Sequence, residues 1–144
     1  MTQSAPADPP PPFRHRLRVY WEDTDAGGVV FYANYLKFFE RARTEWLRAL
    51  GVGQQALRDS TGAIFVVTDT RVRYRAPARL DDELSVTVQL QQRGTASMTI
   101  VQQAWRIDAG AEVLLADGEI RIGCVDHGTF RPRRIPIEVT QTLT

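Results

Sequence analysis

One segment of this chain of 144 residues has a spacing of apolar residues unlike the rest, and that segment constrains the fold most. From position 34, apolar side chains recur every three or four residues, which is typical of one wide apolar face on a helix. The members of this face are Tyr35, Phe38, Phe39, Ala42, Trp46, Leu47 and Leu50. Asn34 is a suitable N-cap for the helix, and Gly51 a suitable C-terminal stop. A helix with so broad an aromatic face is expected to lie against a sheet.

The segments before and after this helix alternate between apolar and polar residues, which predicts half-buried strands. One strand is predicted over 14–22, and four more at about 66–74, 84–91, 97–107 and 113–124. The stretch 53–62 is interpreted as a loose connection. Short links at 81–82 and 108–110 favour antiparallel hairpins between neighbouring strands. The order β-α-β-β-β-β predicts an α+β domain, with one long central helix packed on an antiparallel sheet of about five strands.

Length and composition fit a single domain, because domains usually contain about 100–200 residues. The net charge of +1 gives no bulk attraction to nucleic acid or to an anionic membrane. The one cysteine, Cys124, excludes an internal disulfide framework, and its place on the inward face of a strand predicts a core residue. No apolar run approaches the roughly 18 residues that would cross a bilayer. We therefore expect a soluble, cytoplasmic protein.

Both ends of the chain are predicted to lie outside the domain. Residues 1–13 are rich in proline, which favours an extended, disordered leader. This leader lacks the basic and apolar parts of a secretory signal. The domain itself is predicted over 14–138, and 139–144 is interpreted as a C-terminal tail.

The most unusual segment lies between the first strand and the helix. Glu22, Asp23 and Asp25 stand close together and are followed by Gly27 and Gly28. Glycines let a backbone approach a ligand closely, and a helix N-terminus offers unpaired N–H groups and partial positive charge. A carboxylate beside such an end can attack or deprotonate while the amides polarise a substrate carbonyl. An acidic turn that only caps the helix is the alternative.

This segment resembles a known family. The run EDTDAGGVVFYANYLKFFERARTEWLRALG, within 20–51, is similar to the acyl-CoA thioesterases of the hotdog fold. The similarity is greatest to the YbgC-type branch, associated with the Tol–Pal system, of the 4-hydroxybenzoyl-CoA thioesterase family. It continues in YRAPARLDD at 74–82, RGT at 93–95, CVD at 124–126, and at Pro132 and Pro136. The resemblance therefore covers about 14–138 and implies a hotdog fold.

The resemblance also assigns catalytic groups. The family's catalytic carboxylate corresponds to Asp25, which would act as general base on water or as direct nucleophile at the thioester carbonyl. The backbone amide of Tyr32 corresponds to the group that hydrogen-bonds the thioester oxygen. Many YbgC-type relatives carry histidine at the position of Tyr32, whereas the hydroxybenzoyl-CoA type carries tyrosine. Asp23 is expected to shape the turn.

Further positions correspond to substrate-binding residues of the family. These are Gly27, Gly28, Asn34, Glu40, Arg93, Gly94 and Thr95. The position of Glu40 faces the acyl pocket in the benzoyl branch, and a solvated glutamate, or one paired with Arg41 or Arg43, is the alternative. The segment 93–95 is similar to one that contacts coenzyme A phosphates in relatives, and a plain hairpin turn is the alternative there.

The activity implied by the resemblance is hydrolysis of acyl-CoA to free acid and coenzyme A. No metal and no cofactor are expected, since coenzyme A is part of the substrate. A lone sheet would expose an edge strand, so we expect a homo-oligomer, a dimer or a homotetramer, with sites between subunits. Two alternatives stay open. One is an enzyme for aromatic acyl groups such as 4-hydroxybenzoyl-CoA, and the other is a largely non-catalytic scaffold for acyl carrier protein or envelope assembly.

Overall fold

The computed structural model of the protein describes residues 11–143. Its elements in chain order are β1 (Phe13–Arg18), α1 (Asn34–Ala49), α2 (Gln54–Thr61), β2 (Ala63–Tyr74), β3 (Glu83–Arg93), β4 (Ser97–Asp108), β5 (Ala111–Asp126) and α3 (Ile137–Thr140). A short 3-10 turn, Trp21–Asp23, lies between β1 and α1. The predicted α+β class, with five strands and one helix longer than the others, is confirmed.

The five strands form one antiparallel sheet in the order β1-β3-β4-β5-β2. Neighbours β3–β4 and β4–β5 are hairpins, as predicted for the link at 108–110. The hairpin predicted at the 81–82 link is wrong, because β2 pairs with β5 and β3 pairs with β1. Residues 75–82 instead cross the end of the sheet and bond to the segment after β1: Val30 N–H donates to Ala78 O (2.8 Å), and Val19 N–H donates to Asp82 O (2.9 Å).

Three predicted element boundaries need correction. The first strand ends at Arg18, and the residues predicted to continue it instead lead into the 3-10 turn, which Tyr20 caps. Ala33, and not Asn34, is the N-cap of α1, since the Asn34 side chain is bonded elsewhere. The stretch taken as a loose connection contains α2, whose apolar pattern is weak because Leu57 is its one buried residue among those described. At the other end of α1, Gly51 follows the helix with φ +88°, as expected of a helix stop.

The core lies between α1 and the inner face of the sheet. Phe38, Phe39 and Ala42 are fully buried on α1 and pack with buried residues of the strands. The helix approaches the sheet closely at Gly118, where an added Cβ would lie 3.0 Å from Phe39 Cε2. Glycine at that position therefore sets how deeply the helix lies on the sheet.

The chain ends were expected to lie outside the domain. Residues 1–10 of the predicted leader are outside the described residues, whereas Phe13 begins β1. In the stretch expected as a tail, Val139 is fully buried and Leu143 packs against the core. Residues 139–143 thus contribute to the packing of the domain. Within residues 11–143, no helix has the length and apolar character needed to cross a membrane.

Replacing Gly118 by valine should destabilise the fold by about 2 kcal/mol, because the new side chain overpacks the contact with Phe39. The measurement is the free energy of unfolding in urea. Glu119→Val is the matched control: it places the same side chain at the exposed neighbouring position, where we expect a change within about 0.5 kcal/mol. Equal destabilisation by the two variants would show that the close approach of the helix carries no energetic weight.

Candidate active site

The acidic segment forms a small closed hairpin over residues 23–31. Asp25 N–H donates to Val29 O (2.8 Å), and Phe31 N–H donates to Asp23 O (2.9 Å). Thr24 and Val30 form an antiparallel bridge between these two bonds. The hairpin is therefore a defined structure that begins at the 3-10 turn and leads directly to α1.

Two glycines make the tip of this hairpin possible. Gly28 has φ +80°, a left-handed conformation that side chains rarely adopt. A Cβ on Gly27 would lie 3.2 Å from Asp25 Oδ1, so a side chain there would crowd the carboxylate. Gly27 and Gly28 thus position Asp25, in addition to the substrate-binding role that the family resemblance implies.

Asp23 fixes the hairpin to the rest of the fold. Its side chain is only 4% exposed, and each oxygen accepts a hydrogen bond: Oδ2 from Tyr20 N–H (2.8 Å) and Oδ1 from Asn34 Nδ2 (2.8 Å). Tyr20 precedes the 3-10 turn and Asn34 is the first residue of α1. The expected shaping role of Asp23 is confirmed. The resemblance implies that Asn34 contacts the substrate. In the structure, its side-chain amide is already hydrogen-bonded to the Asp23 carboxylate.

The Asp25 carboxylate is oriented through one of its oxygens. Oδ1 accepts a hydrogen bond from Gly27 N–H at 2.8 Å and a longer one from Val29 N–H at 3.5 Å. Oδ2 has no donor among residues 11–143, and the side chain is exposed. A carboxylate held by one oxygen and open at the other can accept a proton from water or attack an electrophilic carbon.

The predicted polarising group, the Tyr32 amide, lies just before α1. Tyr32 is two residues ahead of the first helical residue and not within the helix, and its N–H has no partner in the described part of the chain. Its carbonyl accepts a hydrogen bond from the Tyr74 hydroxyl (2.8 Å). Burial raises the pKa of Tyr74, which keeps this phenol protonated as a donor at neutral pH. Within the described residues, no hydrogen bond joins Asp25 directly to Tyr32. The two are connected through the backbone of the hairpin.

Glu40 lies on the exposed side of α1 and forms no ion pair within residues 11–143. It borders a cavity of about 320 Å³ between α1 and the sheet, together with Arg43 and the edge residues 65–67 of β2. Glu40 therefore does not pair with Arg41 or Arg43, which was one of the alternatives for this residue. It is a solvated glutamate at the mouth of the cavity.

The Arg93–Thr95 segment is the turn between β3 and β4. It borders a second cavity, of about 510 Å³, with Arg134 and Ile135, and Ile135 N–H donates to Thr95 O (2.9 Å). The hairpin of Asp25 lies at the opposite end of β3, which is 11 residues long and hence spans about 35 Å. A single chain does not bring these two groups of predicted site residues together.

Some residues near the site were not singled out from the sequence. Tyr74 and Ala78 belong to the segment 74–82 that carries the family resemblance, and that match was the available signal for them. Arg134 had no comparable signal, because it reaches the 93–95 turn from a distant part of the chain. Cys124 is buried as expected, and burial raises the pKa of its thiol, which disfavours a nucleophilic thiolate. Among residues 11–143, no group of three or more His, Cys, Asp or Glu is placed to hold a metal ion.

Comparison with known proteins assigns the chain to a family. The family model described as the thioesterase-like superfamily matches residues 19–143. The chain belongs to this superfamily. The acyl-CoA thioester hydrolase YbgC of Escherichia coli O6:H1 is 45% identical over 124 residues, covering 86% of this chain and 90% of that protein. The acyl-CoA thioesterase YbgC of Haemophilus influenzae is 41% identical over 127 residues, covering 88% and 90%.

A solved structure agrees with this assignment. The crystal structure of a hypothetical protein from Aquifex aeolicus has a TM-score of 0.84 and 29% identity, covering 92% of this chain and 100% of that one. The predicted hotdog fold and the resemblance to YbgC-type thioesterases are confirmed. This member of the thioesterase-like superfamily is a thioester hydrolase.

Replacing Asp23 by alanine should destabilise the protein by about 2–3 kcal/mol, because the buried Asn34 side chain and the partly buried Tyr20 amide lose their acceptor. In a double-mutant cycle with Asn34→Ala, we expect a coupling free energy of about 1–2 kcal/mol. The measurement is urea unfolding of the two single variants and the double variant. Glu22→Ala, at an exposed neighbouring carboxylate, is the control, and strictly additive effects of Asp23 and Asn34 would contradict the proposed connection.

Proposed function

We propose that this protein is an acyl-CoA thioesterase that uses the Asp25 carboxylate to hydrolyse its substrate to free acid and coenzyme A. The observation that carries the proposal is the geometry of Asp25, because the Gly27 amide holds one carboxylate oxygen and the other is open. The chain also belongs to the thioesterase-like superfamily. The acyl-CoA substrate is supported by the names of the two YbgC relatives.

Two mechanisms are compatible with this geometry. As a general base, Asp25 takes a proton from water, hydroxide adds to the thioester carbon, and the C–S bond breaks to release coenzyme A. As a nucleophile, Asp25 adds to the thioester carbon, the C–S bond breaks to release coenzyme A, and water then hydrolyses the resulting mixed anhydride to the free acid and the Asp25 carboxylate. In both, the unpaired Tyr32 N–H would hydrogen-bond the carbonyl oxygen as negative charge develops on it. Label in the Asp25 carboxylate after a single turnover in H₂¹⁸O would establish the nucleophilic route, because only an anhydride opened at the Asp25 carbonyl leaves label in the protein.

We further propose that the working unit is a homo-oligomer built from dimers joined through β2. This strand has β5 on one side and no described strand on the other, and it contains 12 residues against 6 in the opposite edge strand β1. A long unpaired edge favours pairing with another strand. Val67 on this edge is 50% exposed. Pairing would also offer a way to bring the Arg93–Thr95 turn of one subunit toward the Asp25 hairpin of another, where it would contact the coenzyme A phosphates, and dimers would associate further into a tetramer.

The aromatic thioesterase is the second candidate function, and Tyr32 is the observation that favours it. This ring is 64% exposed beside the site and lies 6.3 Å from the ring of Tyr74, in an edge-on arrangement suited to contact with an aryl group. A non-catalytic scaffold for acyl carrier protein or envelope assembly is less favoured, because the Asp25 geometry would then serve no purpose.

Asp25→Asn should lower kcat for acyl-CoA hydrolysis by at least about 10²-fold, because the amide can neither accept the proton nor attack. The measurement is thiol release from a panel of aliphatic and aromatic acyl-CoAs. Asparagine retains the oxygen that accepts from Gly27, so the hairpin should persist.

Glu22→Gln is the matched control, since it neutralises an exposed carboxylate in the same segment that has no side-chain hydrogen bond within the described chain. We expect its activity within about threefold of the wild type. Equal rates for wild type and Asp25→Asn would remove Asp25 as the catalyst, and an absence of release from every thioester would support the scaffold.

Val67→Asp should weaken the dimer, because two like charges would approach each other along the joined β2 edges. We expect a shift towards monomer in analytical ultracentrifugation. Gln91→Asp places the same charge at an exposed position of β3 and should leave the oligomer intact. An unchanged oligomer in Val67→Asp would exclude β2 as the interface.

A further inference from the structure

One charged side chain within the core has no role in the mechanism above. Arg43 lies on α1, is 8% exposed, and borders the 320 Å³ cavity. Its Nη1 donates to Gln102 Oε1 (2.9 Å), and no carboxylate oxygen lies within 4.0 Å of its guanidinium among residues 11–143. A buried cation with one neutral partner is costly unless an anion or further acceptors reach it.

Gln102 holds this guanidinium in place. Gln102 is fully buried, and its Nε2 donates to Phe39 O (3.0 Å) and Thr87 O (3.3 Å). With both donors committed to the backbone, its Oε1 is directed to Arg43. The remaining N–H groups of Arg43 are therefore fixed relative to the sheet, beside the cavity.

The sheet side of the cavity around this group is suited to an apolar chain, whereas the opposite side also carries Thr44 and Gln54, which hydrogen-bond to each other. Its lining residues on the sheet are Phe65, Val66, Val67, Met98, Ile100 and Ile122. A volume of about 320 Å³ is at the small end for ligand pockets and fits a short or medium acyl group. An apolar wall facing a fixed cationic donor is typical of sites that recognise a mostly apolar ligand carrying one polar group.

The cavity lies beside the edge through which the dimer is proposed to form. Its edge residues, 65–67, are near the start of β2, whereas Tyr74, which bonds to Tyr32, ends β2. In an antiparallel pair related by a two-fold axis, the end of one strand lies beside the start of the other. The dimer would thus set the partner subunit's Asp25 hairpin near the mouth of this cavity, and the acyl group would extend from there toward Arg43.

We propose that this cavity holds the acyl group and that Arg43 selects acyl chains ending in a carboxylate, that is, monothioesters of dicarboxylic acids with coenzyme A. This proposal rests on the proposed function and names its substrate class. A carboxylate supplies the counter-ion that the guanidinium lacks and accepts paired N–H groups from it. Glu40, at the cavity mouth, is the nearby acidic group that opposes such an anion, and its charge weakens the selection without removing it.

The test compares adipoyl-CoA with hexanoyl-CoA, which have the same chain length and differ in the terminal carboxylate. For the wild type, we expect kcat/KM to favour adipoyl-CoA by at least about 10-fold, as a charge-assisted hydrogen bond allows. Arg43→Met should abolish this preference, mainly through KM, while hexanoyl-CoA hydrolysis stays within about fivefold. Arg43→Lys should retain part of the preference, and Glu40→Gln should increase it.

Arg41→Gln is the matched control, because Arg41 is an exposed arginine on the same helix and does not border this cavity. We expect its preference to equal that of the wild type. If Arg43→Met fails to fold, Arg43→Met/Gln102→Leu removes the unpaired acceptor as well. Two measurements on the wild type need no variant. They are the ratio of kcat/KM for adipoyl-CoA to that for hexanoyl-CoA, and the inhibition constant of free adipate compared with that of free hexanoate.

The outcomes separate this proposal from the proposed function. Hydrolysis of hexanoyl-CoA equal to or faster than that of adipoyl-CoA by the wild type would overturn the selection alone. A preference for 6-hydroxyhexanoyl-CoA over adipoyl-CoA would also overturn it, since Arg43 would then serve a neutral oxygen. No thiol release from any of these substrates would overturn the proposed function itself.

Discussion

The buried carboxylate of Asp23 is the interaction on which the candidate site depends most. It joins the backbone at Tyr20 to the side chain of Asn34, which is the first residue of α1. Because Asp23 is shielded from water, these bonds are not readily exchanged for solvent, and both ends of the hairpin are held to the fold. Asp25 at the tip can then stay exposed and keep one oxygen open. Of two carboxylates two residues apart, one supplies order and the other remains available for reaction.

The periodic features of the sequence predicted much of the fold, because each reports which face of an element is buried. The aromatic face of α1 and the alternation in β3, β4 and β5 are of this kind. The errors concern partners that no local pattern contains. Asn34 has the chemistry of an N-cap, yet Asp23, eleven positions earlier, binds its side chain. The 81–82 link has the residues of a turn, yet the strands on either side of it pair with other strands.

The site was predictable to a similar extent and for a similar reason. Asp25, the two glycines and the Tyr32 amide lie in one continuous segment, so a motif can reveal them. Tyr74 reaches Tyr32 from a strand 42 positions away, and Arg134 reaches the 93–95 turn from beyond β5. Strand length then separates the two ends of the sheet in a single subunit. The proposed antiparallel pairing of β2 edges would place one end of a subunit beside the opposite end of its partner, and so would reunite the divided site.

The pair formed by Arg43 and Gln102 is hard to explain by stability. Two apolar residues of similar size at these positions would fill the space beneath α1 without the desolvation of a cation, and such replacements are often neutral or stabilising. Ile100, which borders the same cavity, and Ile120, its neighbour on β5, are almost fully buried in the core. Burial lowers the pKa of Arg43, and Glu40 partly offsets that shift from the cavity mouth. A fixed, incompletely paired cation facing a cavity is what a ligand anion would complete, so the cost of burying it is better explained by recognition than by packing.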